Sequence, residues 1–315
     1  MKQLSRREVL ELAATVAALP IGVNAQTAAS PANTLRFFPG FTAKRVKTSG
    51  AEINLVHAGS GPPLLLMHGA PQTHVSMRLI APELAKDYTV VVTDLRGYGD
   101  SSKPPDGDNH ANYSKRAMAL DQVEVMKSFG FDKFAVVGHD RGGRVGHRMA
   151  LDHPEKITKL AVLDIVPTYY LYTHVDIRFI QSYFHWFNNV RAAPAPENDL
   201  KAQYEAQKAR TTNEVQLEYL RTSSDPANIH ALCEDYRAGA SIDLQHDAAD
   251  LSKKIVCPLL TLWGLKGPMG RIYDVLAIWK ERGGTVTGKG LNGGHNLQEE
   301  VAEEVLAEIR RFLKA

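Results

Sequence analysis

The stretch Ala135-Val-Val-Gly-His-Asp-Arg-Gly-Gly-Arg144 begins as an apolar run and stops at Gly138; an acid then stands at Asp140, glycines follow at Gly142 and Gly143, and a helix-like segment begins. That order describes a strand, a sharp turn and a helix. In the G-x-S-x-G elbow such a turn lifts the central side chain clear of the sheet, and the flanking glycines allow the close backbone approach it needs. Here the lifted group is a carboxylate, Asp140. A serine in that place needs a base to take its proton, whereas a carboxylate is anionic at neutral pH and displaces a leaving group from an sp3 carbon directly. The expected chemistry is alkyl transfer rather than acyl transfer. The simpler alternative is that Asp140 merely caps the following helix.

Around the elbow, strand and helix patterns alternate from Phe41 onward. Ile53 to His57, Pro63 to Met67, Thr89 to Thr93, Phe134 to Val137, Leu160 to Leu163 and Leu259 to Trp263 are short apolar runs bounded by Gly, Pro or Asp, as expected of strands buried in a mostly parallel sheet. Lys115 to Phe129, Arg144 to Asp152, Ile272 to Glu281 and Glu299 to Phe312 carry helical periodicity. The sequence therefore predicts a doubly wound α/β core over residues 41–166 and 258–315. Residues 167–257 break the rhythm: they hold helical segments rich in Tyr, His, Phe and Trp but no convincing strand. This stretch is expected to form a helical cap over the C-terminal edge of the sheet, where open α/β folds bind ligands.

With 37 Lys+Arg against 35 Asp+Glu, the net charge is +2 and no basic block stands out, so neither nucleic acid nor an anionic membrane is an expected partner. Cys233 and Cys257, the only cysteines, are too few for a disulfide framework or a metal cluster and read as buried thiols. The expected chemistry calls for no cofactor and no metal, and the expected partner is a small molecule. At the N-terminus, Ser5-Arg6-Arg7-Glu8-Val9-Leu10 precedes a weakly apolar stretch ending at Val23-Asn24-Ala25. Residues 1–25 thus look like a twin-arginine export signal, which implies a periplasmic or exported protein, with residues 26–40 as a leader. The alternative is an ordinary first helix in a cytoplasmic protein.

The remaining machinery should follow in the order nucleophile, acid, histidine. His295, in Asn292-Gly-Gly-His295, lies in a loop before the C-terminal helix and is the expected general base. For the orienting acid, the loop after Trp263 offers no carboxylate until Asp274, which leaves Asp164 in Leu160-Ala-Val-Leu-Asp-Ile165. His68-Gly69-Ala70 ends an early strand and should set the Ala70 backbone N–H opposite that of Arg141, giving two donors for an oxyanion at roughly 3 to 4 kcal/mol each. The loop Asp94-Leu-Arg-Gly-Tyr-Gly99 has no evident chemical step and reads as structural. Arg141 and Arg144, three residues apart at a helix start, can lean to the same side. A substrate carboxylate about 4 Å from Asp140 is repelled by roughly 4 kcal/mol at an effective dielectric near 20, and planar guanidinium forks beside it would offset that. An uncharged substrate would not need them.

His68-Gly-Ala-Pro-Gln-Thr-His74, Asp94-Leu-Arg-Gly-Tyr-Gly99, Tyr113-Ser-Lys-Arg-Ala-Met-Ala119, Gly138-His-Asp-Arg-Gly-Gly-Arg144, Leu163-Asp-Ile-Val-Pro-Thr-Tyr169, His185-Trp186, Cys233-Glu-Asp-Tyr-Arg-Ala-Gly239 and Gly293-Gly-His295 together resemble the fluoroacetate (haloacetate) dehalogenases of the α/β-hydrolase fold, from about Asn54 to the C-terminus. The resemblance implies Asp140 as nucleophile, Asp164 and His295 completing the triad, Arg141 and Arg144 on the substrate carboxylate, His185, Trp186 and Tyr236 as halide donors, and a homodimer. N–H and O–H donors suit a small, strongly hydrated leaving fluoride, whose water they replace as charge builds. Two departures widen the expected site: Ala70 stands where family members usually carry an aromatic residue, and the cap looks shorter between Lys201 and Glu218, without a pocket-lining tryptophan. An epoxide hydrolase shares the Asp-His-Asp logic and would use cap tyrosines, of which Tyr183, Tyr204, Tyr219 and Tyr236 are available. Its elbow usually carries tryptophan after the nucleophile, where Arg141 stands here. A non-catalytic ligand-binding member of the fold is the other alternative.

Overall fold

The computed structural model describes residues 31–315; the expected export signal lies outside the described residues. The strands are β1 (Thr42–Lys47), β2 (Glu52–Ala58), β3 (Pro63–Met67), β4 (Thr89–Thr93), β5 (Phe134–His139), β6 (Ile157–Leu163), β7 (Leu259–Gly264) and β8 (Val286–Leu291). They form one sheet in the order β1-β2-β4-β3-β5-β6-β7-β8. From β4 to β8 every pairing is parallel, while β1–β2 and β2–β4 are antiparallel. The six apolar runs fall on β2 to β7. Two edge strands lack that signature: β1 reads Thr-Ala-Lys-Arg-Val-Lys and β8 reads Val-Thr-Gly-Lys-Gly-Leu. Both edges are half wet, so they need no apolar run, and charged side chains there discourage edge-to-edge pairing.

The core helices are α1 (Ala81–Leu84), α2 (Lys115–Ser128) and α3 (Arg141–Asp152) on the N-terminal side of the cap. The cap comprises α4 (Thr168–Thr173), α5 (Ile177–Ser182), α6 (Phe184–Asn188), α7 (Ala195–Lys208), α8 (Glu214–Ser223), α9 (Pro226–Gly239) and α10 (Ile242–Ala249), all between β6 and β7. After the cap come α11 (Pro268–Ile272), α12 (Val275–Lys280), α13 (Leu297–Glu300) and α14 (Ala302–Lys314). The single helices expected over 272–281 and 299–312 are each interrupted: Tyr273 is extended at φ −121°, ψ 146°, and Val301 breaks the turn at φ −138°, ψ 48°. Asp274 then caps α12, accepting from Ala277 N at 3.1 Å.

The described part of the expected leader, residues 31–40, packs on the core instead of trailing free. Pro31–Phe37 winds into a 3-10 helix, Phe38 is buried, and its ring stacks on His74 at 5.5 Å. Phe37, Phe38 and Phe41 supply the apolar area that anchors it. Cys233 and Cys257 are free and buried. Among the described residues, no helix is long and apolar enough to cross a membrane.

Candidate active site

Asp140 lies at the C-terminal end of β5, at the centre of the sheet, with φ 43° and ψ −111°. A non-glycine residue in such a conformation is strained and persists only where the surroundings fix it. Here the glycines do so: a Cβ on Gly138 would collide with the Gly142 carbonyl, and one on Gly142 would stand 2.6 Å from Met67 Cβ and 2.7 Å from the His68 carbonyl oxygen. The Asp140 carboxylate makes no capping bond to α3. Its Oδ2 instead accepts from the Ala70 N–H at 3.1 Å, the donor expected of an oxyanion site. The first helical residue, Arg141, follows immediately. Gly69 is part of the same fit, since a Cβ there would lie 2.7 Å from Asp140 Cβ and 2.9 Å from His139 Nδ1.

The structure brings Asp164 and His295 together from positions 131 residues apart: His295 Nδ1 lies 2.6 Å from Asp164 Oδ2. The other Asp164 oxygen accepts from Gly264 N at 2.8 Å, so β7 aims the acid. Asp164 itself has φ 53°, a second strained residue at a strand end. Burial disfavours the charged imidazole, but the Asp164 hydrogen bond and the Asp140 charge outweigh it and raise the His295 pKa above its ordinary value. Burial also opposes ionisation of Asp140, yet His295, Arg141 and Arg144 together hold its carboxyl well below the usual range. Asp140 is thus held as an anion, and His295 is an imidazole oriented by a buried carboxylate.

His139 was not singled out in the sequence. It is buried, accepts from Gln298 Nε2 through Nδ1 at 3.3 Å, and donates from Nε2 to the His295 carbonyl at 2.9 Å. Burial first, and then the His295 charge, lower its pKa to about 3, so it is a neutral strut under the His295 loop. The only sequence signal was its place inside the elbow.

A cavity of about 360 Å³ opens on Asp140 and His295 and is walled by Ala70, Tyr183, His185, Trp186, Tyr204 and Tyr236 among others. Ala70, Pro71, Tyr204, Gln207 and His295 also line an adjoining recess of about 270 Å³. Where the cap looked short, the wall is Leu200, Gln203 and Gln207. A larger recess of about 580 Å³, with His147, Tyr170 and Arg282 on its wall, contains none of Asp140, Asp164 and His295. The rings of His185 and Trp186 meet Tyr236 edge-on, at 5.7 and 5.6 Å. Burial, and then Arg141, push the His185 pKa down to about 4, so at neutral pH its imidazole is an uncharged donor.

Arg141 and Arg144 are buried near Asp140 but do not line the cavity. The Arg141 guanidinium sits 3.7 Å from the Tyr236 ring centre and 4.7 Å from that of Trp186, and Arg144 lies 4.7 Å from Trp186. Trp186 and Tyr236 therefore cover the two cations. Arg144 Nη1 donates to the Val166 carbonyl at 3.0 Å and Thr168 Oγ1 at 3.1 Å, and it forms no salt bridge to Asp140. Arg141 Nε and Nη2 and Arg144 Nε are buried without hydrogen-bond partners. Asp94 accepts from His74 N, His74 Nδ1, Asn54 Nδ2 and Asp100 N within 3.0 Å; it is a loop anchor and lines no part of the cavity.

A family model for the alpha/beta hydrolase fold matches residues 62–302. The chain belongs to the alpha/beta hydrolase family. This hydrolase is similar to a fluoroacetate dehalogenase of Burkholderia sp, 44% identical over 88% of this chain and 95% of that protein. It is also similar to a soluble epoxide hydrolase of Corynebacterium sp. (strain C12), 32% identical over 84% of this chain and 94% of that protein. Among solved structures, ALR0039 from Nostoc sp PCC 7120 superposes with a TM-score of 0.84 at 52% identity, covering 87% of this chain and 98% of that one. The resemblance read from the motifs is thus borne out over most of the hydrolase.

Proposed function

We propose that this hydrolase converts short 2-haloacids to 2-hydroxyacids and halide through an ester on Asp140. The observation that carries the reading is the pair of buried arginines flanking the nucleophile with unpartnered donors. A buried, unpaired guanidinium donor is costly, and a carboxylate is the ligand whose planar geometry it fits. In the first step Asp140 attacks the carbon bearing the halogen; a C–O bond forms, the C–X bond breaks, and the halide leaves with the electron pair. The oxygen already held by Ala70 N–H becomes the ester carbonyl. His185, Trp186 and Tyr236 offer N–H and O–H donors to the departing halide, replacing its water. In the second step water attacks the ester carbonyl carbon, its proton passing to His295, whose imidazolium Asp164 stabilises. Ala70 and Arg141 N–H groups hold the oxyanion. Collapse releases the hydroxyacid with the proton from His295, and the second water proton, left on the Asp140 carboxyl, passes to solvent, which restores the carboxylate. The carboxylate reaches the guanidiniums past Trp186 and Tyr236, whose rings must yield to it.

A second reading, epoxide hydrolysis, is favoured by one observation: the Tyr183 hydroxyl is buried without a partner on the cavity wall that Asp140 and Tyr236 share. Such a hydroxyl could protonate an opening epoxide. Turnover of bromoacetate, styrene oxide and a plain bromoalkane, measured side by side, separates the readings. Bromide release from the acid with no opening of the epoxide is expected. Epoxide opening without turnover of the acid would overturn the proposal.

A further inference from the structure

A buried carboxylate lies near Arg141 without closing onto it. Asp235, on α9, is fully buried, and its Oδ2 lies 3.6 Å from Arg141 Nε. That is close enough for strong attraction between buried charges, but too far for a hydrogen bond. Both Asp235 oxygens are engaged elsewhere: Tyr98 donates its hydroxyl to Oδ2 at 2.5 Å, and the Lys115 ammonium donates to Oδ1. Lys115 is in turn pinned by Asp243, which accepts from the Lys115 backbone N–H at 2.8 Å. The three groups come from the loop after β4, from α2 and from the cap, and none lines the cavity.

We infer that Asp235, held back by Tyr98 and Lys115, is a positioning residue that fixes the Arg141 guanidinium while leaving its donors free for an anionic ligand. This rests on the reading of Arg141 as a carboxylate binder. The physical logic is a balance. Were Asp235 absent, Arg141 would lose its only carboxylate at salt-bridge distance among the described residues. Were Asp235 free to advance, it would form a direct pair with Nε and compete with the substrate for the same edge. Tyr98 and Lys115 hold it between those extremes.

The test is Tyr98→Phe, which removes one restraint and keeps the ring. With Oδ2 released, Asp235 closes onto Arg141, so the KM for bromoacetate should rise about tenfold with little change in kcat, and the KM for bromoacetamide, which lacks the charge, should stay within about twofold. The Arg141 Nε–H signal in 1H–15N spectra, assigned by its loss in Arg141→Lys, should shift downfield as a true charge-assisted hydrogen bond forms. Lys115→Gln, which releases the other oxygen, gives the same readouts should Tyr98→Phe fold poorly. Equal changes for the charged and neutral substrates, or an unmoved Nε–H signal, overturn the inference. Should the wild-type protein turn over no haloacid while the Nε–H signal still moves, the positioning role stands and the haloacid reading falls.

Discussion

On the proposed mechanism, replacing His295 with alanine separates the two chemical steps. The first step needs an ionised Asp140 and no base. Among the charges that depress the Asp140 carboxyl, His295 leads, followed by Arg141 and Arg144; the arginines remain in the variant, so Asp140 should still be anionic at neutral pH and still attack. The second step needs a base within reach of water, and His295 is the imidazole aimed by Asp164 at 2.6 Å. Loss of a positioned general base typically slows a step by about 10² to 10⁴. The ester should therefore accumulate: one equivalent of bromide released per active site from bromoacetate, then a near stop, with the intact protein gaining the mass of a carboxymethyl group on Asp140. The pH dependence follows in sign. In the free enzyme the Asp140 charge helps raise the His295 pKa; once Asp140 is esterified that charge is gone, so His295 is neutral down to lower pH. Ester hydrolysis in the wild type should fall away on the acid side at a lower pH than substrate-free titration of His295 indicates. Multiple turnovers by His295→Ala would refute the assignment.

Arg144→Ala should lower kcat/KM for bromoacetate by roughly two to three orders of magnitude, because part of about 4 kcal/mol of carboxylate repulsion is no longer offset; bromoacetamide should lose far less, and equal losses would make the arginine structural. Gly69→Ala brings a methyl group to 2.7 Å from Asp140 Cβ, well inside van der Waals contact, and should cost on the order of 10²-fold in halide release through misplacement of the nucleophile; wild-type rates would show that the elbow yields cheaply. The twin-arginine proposal predicts a mature protein beginning near Gln26, with Arg6→Lys and Arg7→Lys together retaining it inside the cell; N-terminal sequencing of protein from the native host decides it, and an intact Met1 sinks it.

The sequence by itself determined what short-range sterics and patterning can encode. The elbow is legible because Gly138, Gly142 and Asp140 are local requirements of one turn. Strands β3 and β4 are legible because they are buried on both faces and so carry unbroken apolar runs, Leu64–Met67 and Val90–Val92. The edge strands β1 and β8 were not, since a half-wet strand carries no such run. Asp164 and His295 were reachable as candidates through their places after strands, but their 2.6 Å contact spans 131 residues of chain and exists only because β6, β7 and β8 pair side by side. Only the tertiary structure revealed His139 beneath the His295 loop, the rings of Trp186 and Tyr236 over the two arginines, and Tyr98 and Lys115 restraining Asp235. These arrangements join side chains from the core and the cap whose spacing along the chain has no period. Their geometry is set by how the cap packs on the sheet, and no local pattern records it.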